Sequence, residues 1–502
     1  MRLPCGLLPS ELARVRSGFF PGRSGEIQLV PREPNFVGAY RSHSGPWDYL
    51  QEVPLFLYGP GHVTAAGRVD GEATVADLAP TLAEHMDFPF AAADGRALPE
   101  GMPSGGGSGR PRALVVVVWD GLGRNVLARH PDAWPTLRSL IPEGAWFEHA
   151  TIGSSPSVTA AVHATIGTGA LPQTHGRVAN RFRFQGTMAS VNEAGPEDLI
   201  VPTLADLWDR SEGNAAQVAL VAFRQWHAGM VGHGALFPGG DRDVAVLMNE
   251  RSGRWDLPED ELPAFEFPAY APSVGGLAPA LRELDLVDGE LDGLWRGEDL
   301  DDPNVAVRSP AYSLWQTNLL ERIVEEEDFG ADMVPDLLFT NYKQPDLVGH
   351  RWGMESPRMA ESVRAVDGAL GDLIEILDAR VGEGEWVLAL TADHGSTPAP
   401  GSTGATVIDE GRLVDAIRTR FDGDGDDRSV LLALSPSQVW LDRGELADEG
   451  MTPAGVAAFI AGYDAGDNAP DPGAVPPDRR NDPLLAGAFP SRLLRLPDCG
   501  EP

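Results

Sequence analysis

Residues 113–123 read ALVVVVWDGLG. A continuous apolar run of this length suits a strand buried on both faces of a parallel sheet. Similar runs recur at residues 218–221, 336–340 and 386–391. Between them lie helical patterns, of which residues 356–377 are the clearest. Ser356 is placed to cap and Pro357 to open that helix, and Met359, Val363, Val366, Leu370, Leu373 and Leu377 keep a spacing of three to four. Strands alternating with helices predict a layered α/β architecture with a mostly parallel sheet.

The stretch before the first run, PEGMPSGGGSGRPR at residues 99–112, has the composition of a linker. It divides the chain into residues 1–98 and the remainder. Residues 113–185 and 331–502 read as core, and residues 186–330, rich in loops and acidic clusters, as a cap-like insertion with some core elements.

The chain has 502 residues, 39 Lys+Arg against 74 Asp+Glu, and a formal net charge of −35. Lys343 is its only lysine. No phosphate-binding loop of the Gly-Lys-Ser/Thr kind is therefore present, and a Schiff base has one possible site. The charge argues against nucleic-acid binding and against a polybasic membrane contact. The acid excess reads equally as a high-salt adaptation or as plain compositional bias. No run reaches the length of a membrane helix, and residues 1–15 lack a signal-peptide core, so the expectation is a soluble cytoplasmic protein. Its two cysteines, Cys5 and Cys499, make no disulfide framework.

Four short clusters carry chemistry. Asp120 ends the first apolar run, where α/β sheets bind ligands, although alone it reads as well as a helix cap. Thr159, in SSPSVTAAVHATIGTGALPQTHG at residues 154–176, opens a short helix whose N-terminus favours anions. His163, one turn on, reads as a packed residue. Asp346 and His350 in KQPDLVGHRWG are four apart and suit a divalent metal. Asp393 and His394 in TADHG follow another buried strand. An acidic run at residues 422–427, DGDGDD, lacks the twelfth-position glutamate of a calcium loop and reads as a solvated turn.

In this order the clusters resemble the alkaline phosphatase superfamily, most of all its type I phosphodiesterase and nucleotide pyrophosphatase branch. The resemblance implies a three-layer αβα core. It implies that Asp120, Thr159, Asp393 and His394 bind one zinc-class ion, and that Asp346, His350 and a further histidine bind a second. Zn²⁺ is the expected metal and Mn²⁺ the alternative. In the family that histidine lies downstream of Asp-His-Gly, yet no histidine follows His394 here. Residues 19–61 look like the family's C-terminal portion, which makes His43 the missing ligand. Residues 75–98 look like its closing helix and tail. The implied arrangement is a circular permutation, with residues 1–98 moved to the front and PSGGGSG joining old end to old beginning. It predicts that the new chain ends meet, near the point where residues 435–441 and the following segment once ran into residues 19–25, which would make Cys5 and Cys499 neighbours able to pair.

The implied activity is metal-assisted hydrolysis with Thr159 as nucleophile, through a phospho-threonine intermediate. Asn180, in HGRVAN, and the backbone N–H of Ala160 would hold phosphoryl oxygens. FRQWH at residues 223–227 occupies the place of a Ser-x-Lys-x-Arg stretch found in some monoesterases. Arg224 would replace its lysine, but Trp226 stands where the arginine is expected. That favours a small phosphodiester or nucleotide pyrophosphate as substrate. A monoesterase and a catalytically inactive metal-binding relative are the alternatives. Sulfatase chemistry is excluded by the missing Cys/Ser-x-Pro-x-Arg, and a phosphoglycerate mutase would need a serine nucleophile and more metal-binding histidines. Lys343 is expected to support Asp346 rather than to act directly. Oligomeric state is not readable.

Overall fold

A computed structural model describes residues 4–38, 41–103, 109–191, 195–250, 252–258, 262–422, 428–471 and 473–495. The middle of the linker, the DGDGDD run after Asp422, and the Cys5 and Cys499 side chains lie outside the described residues.

Each apolar run of the sequence forms a strand: Ala113–Trp119, Val218–Ala222, Asp336–Tyr342 and Trp386–Thr391. They lie side by side, in parallel, at the centre of a ten-stranded sheet. From one edge the order is Arg254–Asp256, Asp243–Asn249, Val218–Ala222, Asp336–Tyr342, Ala113–Trp119, Trp386–Thr391, Leu55–Tyr58, Ala145–Thr151 and Gly67–Thr74, with Phe265–Glu266 beside Asp243–Asn249. Leu55–Tyr58 runs antiparallel to both neighbours.

Alternation along the central strand explains the layers. Val115, Val117 and Trp119 point into one core, with helices Ala311–Glu326 and Pro357–Leu377. Leu114, Val116 and Val118 point into the other, with helices Leu78–His85, Thr159–Thr168 and Leu204–Ser211. Period-two side chains thus face apolar helices on both sides, which is why the run needs no polar residue. The long helix Pro357–Leu377 begins as its sequence predicts, with the Ser356 side chain accepting from the Met359 N–H.

The stretch read as a cap with some core elements supplies four strands of the large sheet and the helix Ala311–Glu326. A smaller four-stranded sheet has the order Leu431–Leu434, Gln438–Leu441, Ile27–Pro31, Leu485–Pro490. It has its own apolar core, including Ile27, Leu29, Val439 and Ala488. Residues 19–25 lie beside the Gln438–Leu441 strand: Gly25 N–H donates to Gln438 Oε1 at 2.8 Å, and Trp440 Nε1–H to Arg23 O at 2.9 Å. The first long helix, Pro9–Ser17, packs Leu12 and Val15 into the same cluster as Phe489 and Leu494.

Candidate active site

The chemistry-bearing residues collect at the C-terminal ends of the central parallel strands, the position where open α/β sheets hold ligands. Asp120 follows Ala113–Trp119, Lys343 follows Asp336–Tyr342, and Asp393 and His394 follow Trp386–Thr391. Asp120 is not a helix cap, because the next helix, Arg124–Arg129, has Gly123 at that position. Gly121 is a requirement of this turn. Its φ is +72°, and an added Cβ would lie 3.0 Å from Asp346 Cβ. The closeness lets the Gly121 N–H donate to Asp393 Oδ1 at 3.0 Å.

Two ligand sets result. Asp120, Asp393 and His394 present atoms within 4.8 Å of one another, and so do His43, Asp346 and His350. Within the second, His350 Nε2 lies 3.3 Å and His43 Nε2 3.8 Å from Asp346 Oδ1. The sets adjoin, with the His43 and His394 rings stacked at 3.5 Å. His43 Nδ1 is 2.7 Å from Ser157 O, so this nitrogen donates and Nε2 keeps its lone pair toward Asp346. Burial, and the positive character of His394, push His43 well below the usual imidazole range.

Lys343 stands between the sets. Its Nζ is 2.8 Å from Asp120 Oδ1, 2.7 Å from Asp346 Oδ2 and 3.1 Å from Thr159 Oγ1. Burial alone would raise Asp120 and Asp346. Lys343 and the histidines around them outweigh it and hold both below the usual carboxylate range. Burial likewise opposes a charge on His394, but Asp393, Asp346 and Asp120 bring it up to about 9.

The donor set fits metal binding. His394 Nδ1 faces Gly395 O at 3.1 Å, which leaves Nε2 for a proton or a cation. That Nε2 and Asp393 Oδ2 are buried 3.2 Å apart, and neither makes a hydrogen bond to any other group. Imidazole and carboxylate donors together suit a zinc-class ion. A cleft of about 870 Å³ opens beside the second set, lined by His43, His350, Asn180, Arg181, Asp409 and Arg412.

The sequence pattern of the type I phosphodiesterase / nucleotide pyrophosphatase family matches residues 114–449. The chain belongs to that family. Among curated relatives, it is 23% identical over 342 residues to a protein named calcium-transporting ATPase from Myroides odoratus, covering 58% of this chain and 61% of that one. It is 23% identical over 362 residues to alkaline phosphatase PhoV from Synechococcus elongatus, covering 62% and 64%. The chain thus spans just under two thirds of the length of these relatives. The crystal structure of alkaline phosphatase PafA superposes with a TM-score of 0.58 at 19% identity, covering 70% of this chain and 76% of that one, so the two share a fold.

Among the family member's candidate residues, Asp120, Thr159, Asp346, His350, Asp393, His394 and His43 come together, although His43 is about 300 residues in sequence from Asp346 and His350, with which it forms a set. Thr159 is the first residue of a ten-residue helix, with Ala160 behind it. Asn180 is exposed and lines the cleft. Arg224 is elsewhere: it is ion-paired to Glu250 and lines a different cavity with Trp226. From FRQWH it is His227 that reaches the centre, with Nε2 3.6 Å from Asp120 Oδ2. His163 is wholly buried, with Nδ1 facing Thr159 O at 2.8 Å and Nε2 accepting from Asn341 at 2.9 Å, and with Asp120 and His227 it forms a further group of donor atoms within 4.8 Å. Lys343 exceeds its expected part, since it holds Asp120 and Thr159 as well as Asp346.

Asn341 escaped notice in the sequence. Its Nδ2 donates to Asp120 Oδ2 at 2.9 Å and so orients that carboxylate. The signal available was its place two residues before Lys343 at the end of a buried strand. Arg177 also escaped notice. Wholly buried, it pairs with Asp198 and donates to Gly195 O at 2.7 Å, which anchors the loop that carries Asn180.

Proposed function

We propose that this chain is a metal-dependent phosphoester hydrolase that attacks with Thr159 and carries two zinc-class ions. Its substrate is a small phosphodiester or nucleotide pyrophosphate. The observation that carries this reading is the meeting of two mixed His/Asp ligand sets around Thr159 Oγ1 and Lys343 Nζ. Asp120, Thr159, Asp393 and His394 would hold one ion, and Asp346, His350 and His43 the other. Bound there, such ions would supply positive charge to the oxygens of a reacting phosphoryl group.

The chain's own residues then divide the work. Thr159 Oγ1, at a helix N-terminus, attacks phosphorus, and the ester P–O bond breaks with its proton going to the leaving alcohol. Lys343 holds the hydroxyl in place. Asn180 and the Ala160 N–H donate to non-bridging oxygens. Water then forms the new P–O bond as the bond to Thr159 breaks, one water proton passing to Thr159 Oγ1 and so restoring its hydroxyl. The cleft beside His43 and His350 has the volume of a small-molecule site, and Arg181 and Arg412 on its wall suit an anionic substituent. One observation favours a monoesterase instead: the Lys343 ammonium beside Thr159 suits a doubly charged phosphoryl group.

The same reading includes a permuted chain order. What supports it is that His43 completes a set otherwise built from residues 346–350. The family pattern also begins at residue 114, just after the linker.

Rates on matched 4-nitrophenyl diesters and monoesters separate the two substrate classes. Thr159→Ala is expected to lower either rate by about 10³-fold or more. His43→Ala is expected to lose about one of two bound metals by elemental analysis. Full activity in the first variant, or unchanged metal in the second, would contradict the assignment.

A further inference from the structure

Away from this centre, three carboxylates meet at the other end of the sheet. Asp209 comes from the helix Leu204–Ser211, Asp243 is the first residue of the strand Asp243–Asn249, and Asp241 lies just before it. The neighbouring parallel strand, Val218–Ala222, leads at its opposite, C-terminal end to His227 and the active-site region. One oxygen of each carboxylate lies within 4.8 Å of the other two. Asp209 and Asp243 are only 5% and 9% exposed, while Asp241 is open to solvent.

A buried carboxylate normally finds donors or a cation. Asp206, one turn earlier on the same helix, does so: it accepts from the Thr203 N–H at 2.9 Å, the His233 N–H at 2.7 Å and the His233 ring at 2.8 Å. Asp209 does so only in part: the Ala216 N–H donates to its carboxylate, but its Oδ1 is buried with no hydrogen-bond partner. The strongest charges acting on Asp209 and Asp243 are other aspartates, Asp206 and Asp241 among them.

We propose that Asp209, Asp241 and Asp243 form a second, structural cation site, for a hard divalent ion of the calcium class. Oxygens within 4.8 Å of one another lie no more than about 2.8 Å from a common point, so small side-chain shifts bring all three to the calcium bond length of about 2.4 Å. Water would complete the shell on the open Asp241 side. The all-oxygen donor set disfavours zinc, which takes nitrogen or sulfur ligands. The site would tie the helix Leu204–Ser211 to the strand Asp243–Asn249 near the sheet edge.

The test is calorimetric titration of calcium chloride into the full chain, stripped with chelator and then reloaded with zinc. The expected result is one calcium per chain and a melting temperature raised by a few degrees. Asp209→Asn should abolish this binding. Asp241→Asn, at an exposed position that cannot endanger folding, should weaken it about tenfold. Asp346→Asn, in the other cluster, should leave it unchanged. Absence of saturable calcium binding, equal affinity in Asp241→Asn, or loss in Asp346→Asn overturns the proposal. The three acids would then be neutralised by a shared proton. None of these results bears on phosphoester hydrolysis.

Discussion

Lys343 is where residue chemistry decides most. Three aspartates at one buried centre repel one another, and the ammonium between Asp120 and Asp346 offsets that repulsion. In the metal-free chain, Lys343→Met is expected to cost about 3 kcal/mol, because it leaves two buried carboxylates unpaired. Zinc bound by the same carboxylates should restore most of that loss. Urea melts of both proteins, with chelator and with zinc, check this. Equal destabilisation in the two conditions would mean that Lys343 does not share the metals' electrostatic task. The lone lysine stood out in the sequence, but its reach to Thr159 did not, because spacing places it only relative to Asp346.

At the scale of elements, helix Leu78–His85 ends in a histidine that the core does not accommodate as a cation. His85 is buried with Nε2 unpartnered, and burial lowers its pKa from 6.5 to about 4. A group with a depressed folded pKa takes its proton more readily in the unfolded chain. Its contribution is therefore complete above pH 6.5 and is lost as pH falls toward 4. The loss amounts to about 3 kcal/mol. Chemical denaturation at steps across that interval should show the wild type losing this much more than His85→Gln; identical slopes would contradict it. Other elements were legible from local pattern alone. The four valine-rich or leucine-rich runs became adjacent parallel strands, and Ser356-Pro357 opened the long helix where capping chemistry places it. Within acidic, loop-rich residues 186–330 only Val218–Ala222 was legible as an apolar run, because Asp243–Asn249 begins and ends on polar residues and lies among polar connections.

For the molecule as a whole, the order of segments in the chain differs from their order in space. Leu55–Tyr58 sits inside the large sheet, between Trp386–Thr391 and Ala145–Thr151, and Ile27–Pro31 sits inside the small one. Residues 4–98 are thus structural to both. A rearranged gene that places them after residue 495 is expected to yield a protein with the same metal content and a stability within about 2 kcal/mol. The reason is that Leu12 and Val15 already pack beside Phe489 and Leu494, so the new joint spans a short gap. Failure of that protein to fold would count against the permuted reading. Simple deletion of residues 4–98 should give aggregated chain, since it strips Trp386–Thr391 of a neighbour and exposes an edge.

Continuous apolar runs, and short Asp/His/Thr clusters just beyond them, were enough to point to the layered α/β fold, the family and the candidate ligand residues within each cluster. These are local signals, because a strand's burial and a turn's ligands are written in a few consecutive residues. Tertiary structure alone decided which clusters share an ion set. It turned His227 rather than Arg224 toward Asp120, made Asn341 the clamp on that carboxylate, and set one ammonium against two aspartates and a threonine. Those outcomes depend on how strands are ordered across the sheet, and strand order is set by long-range packing that no window of sequence contains.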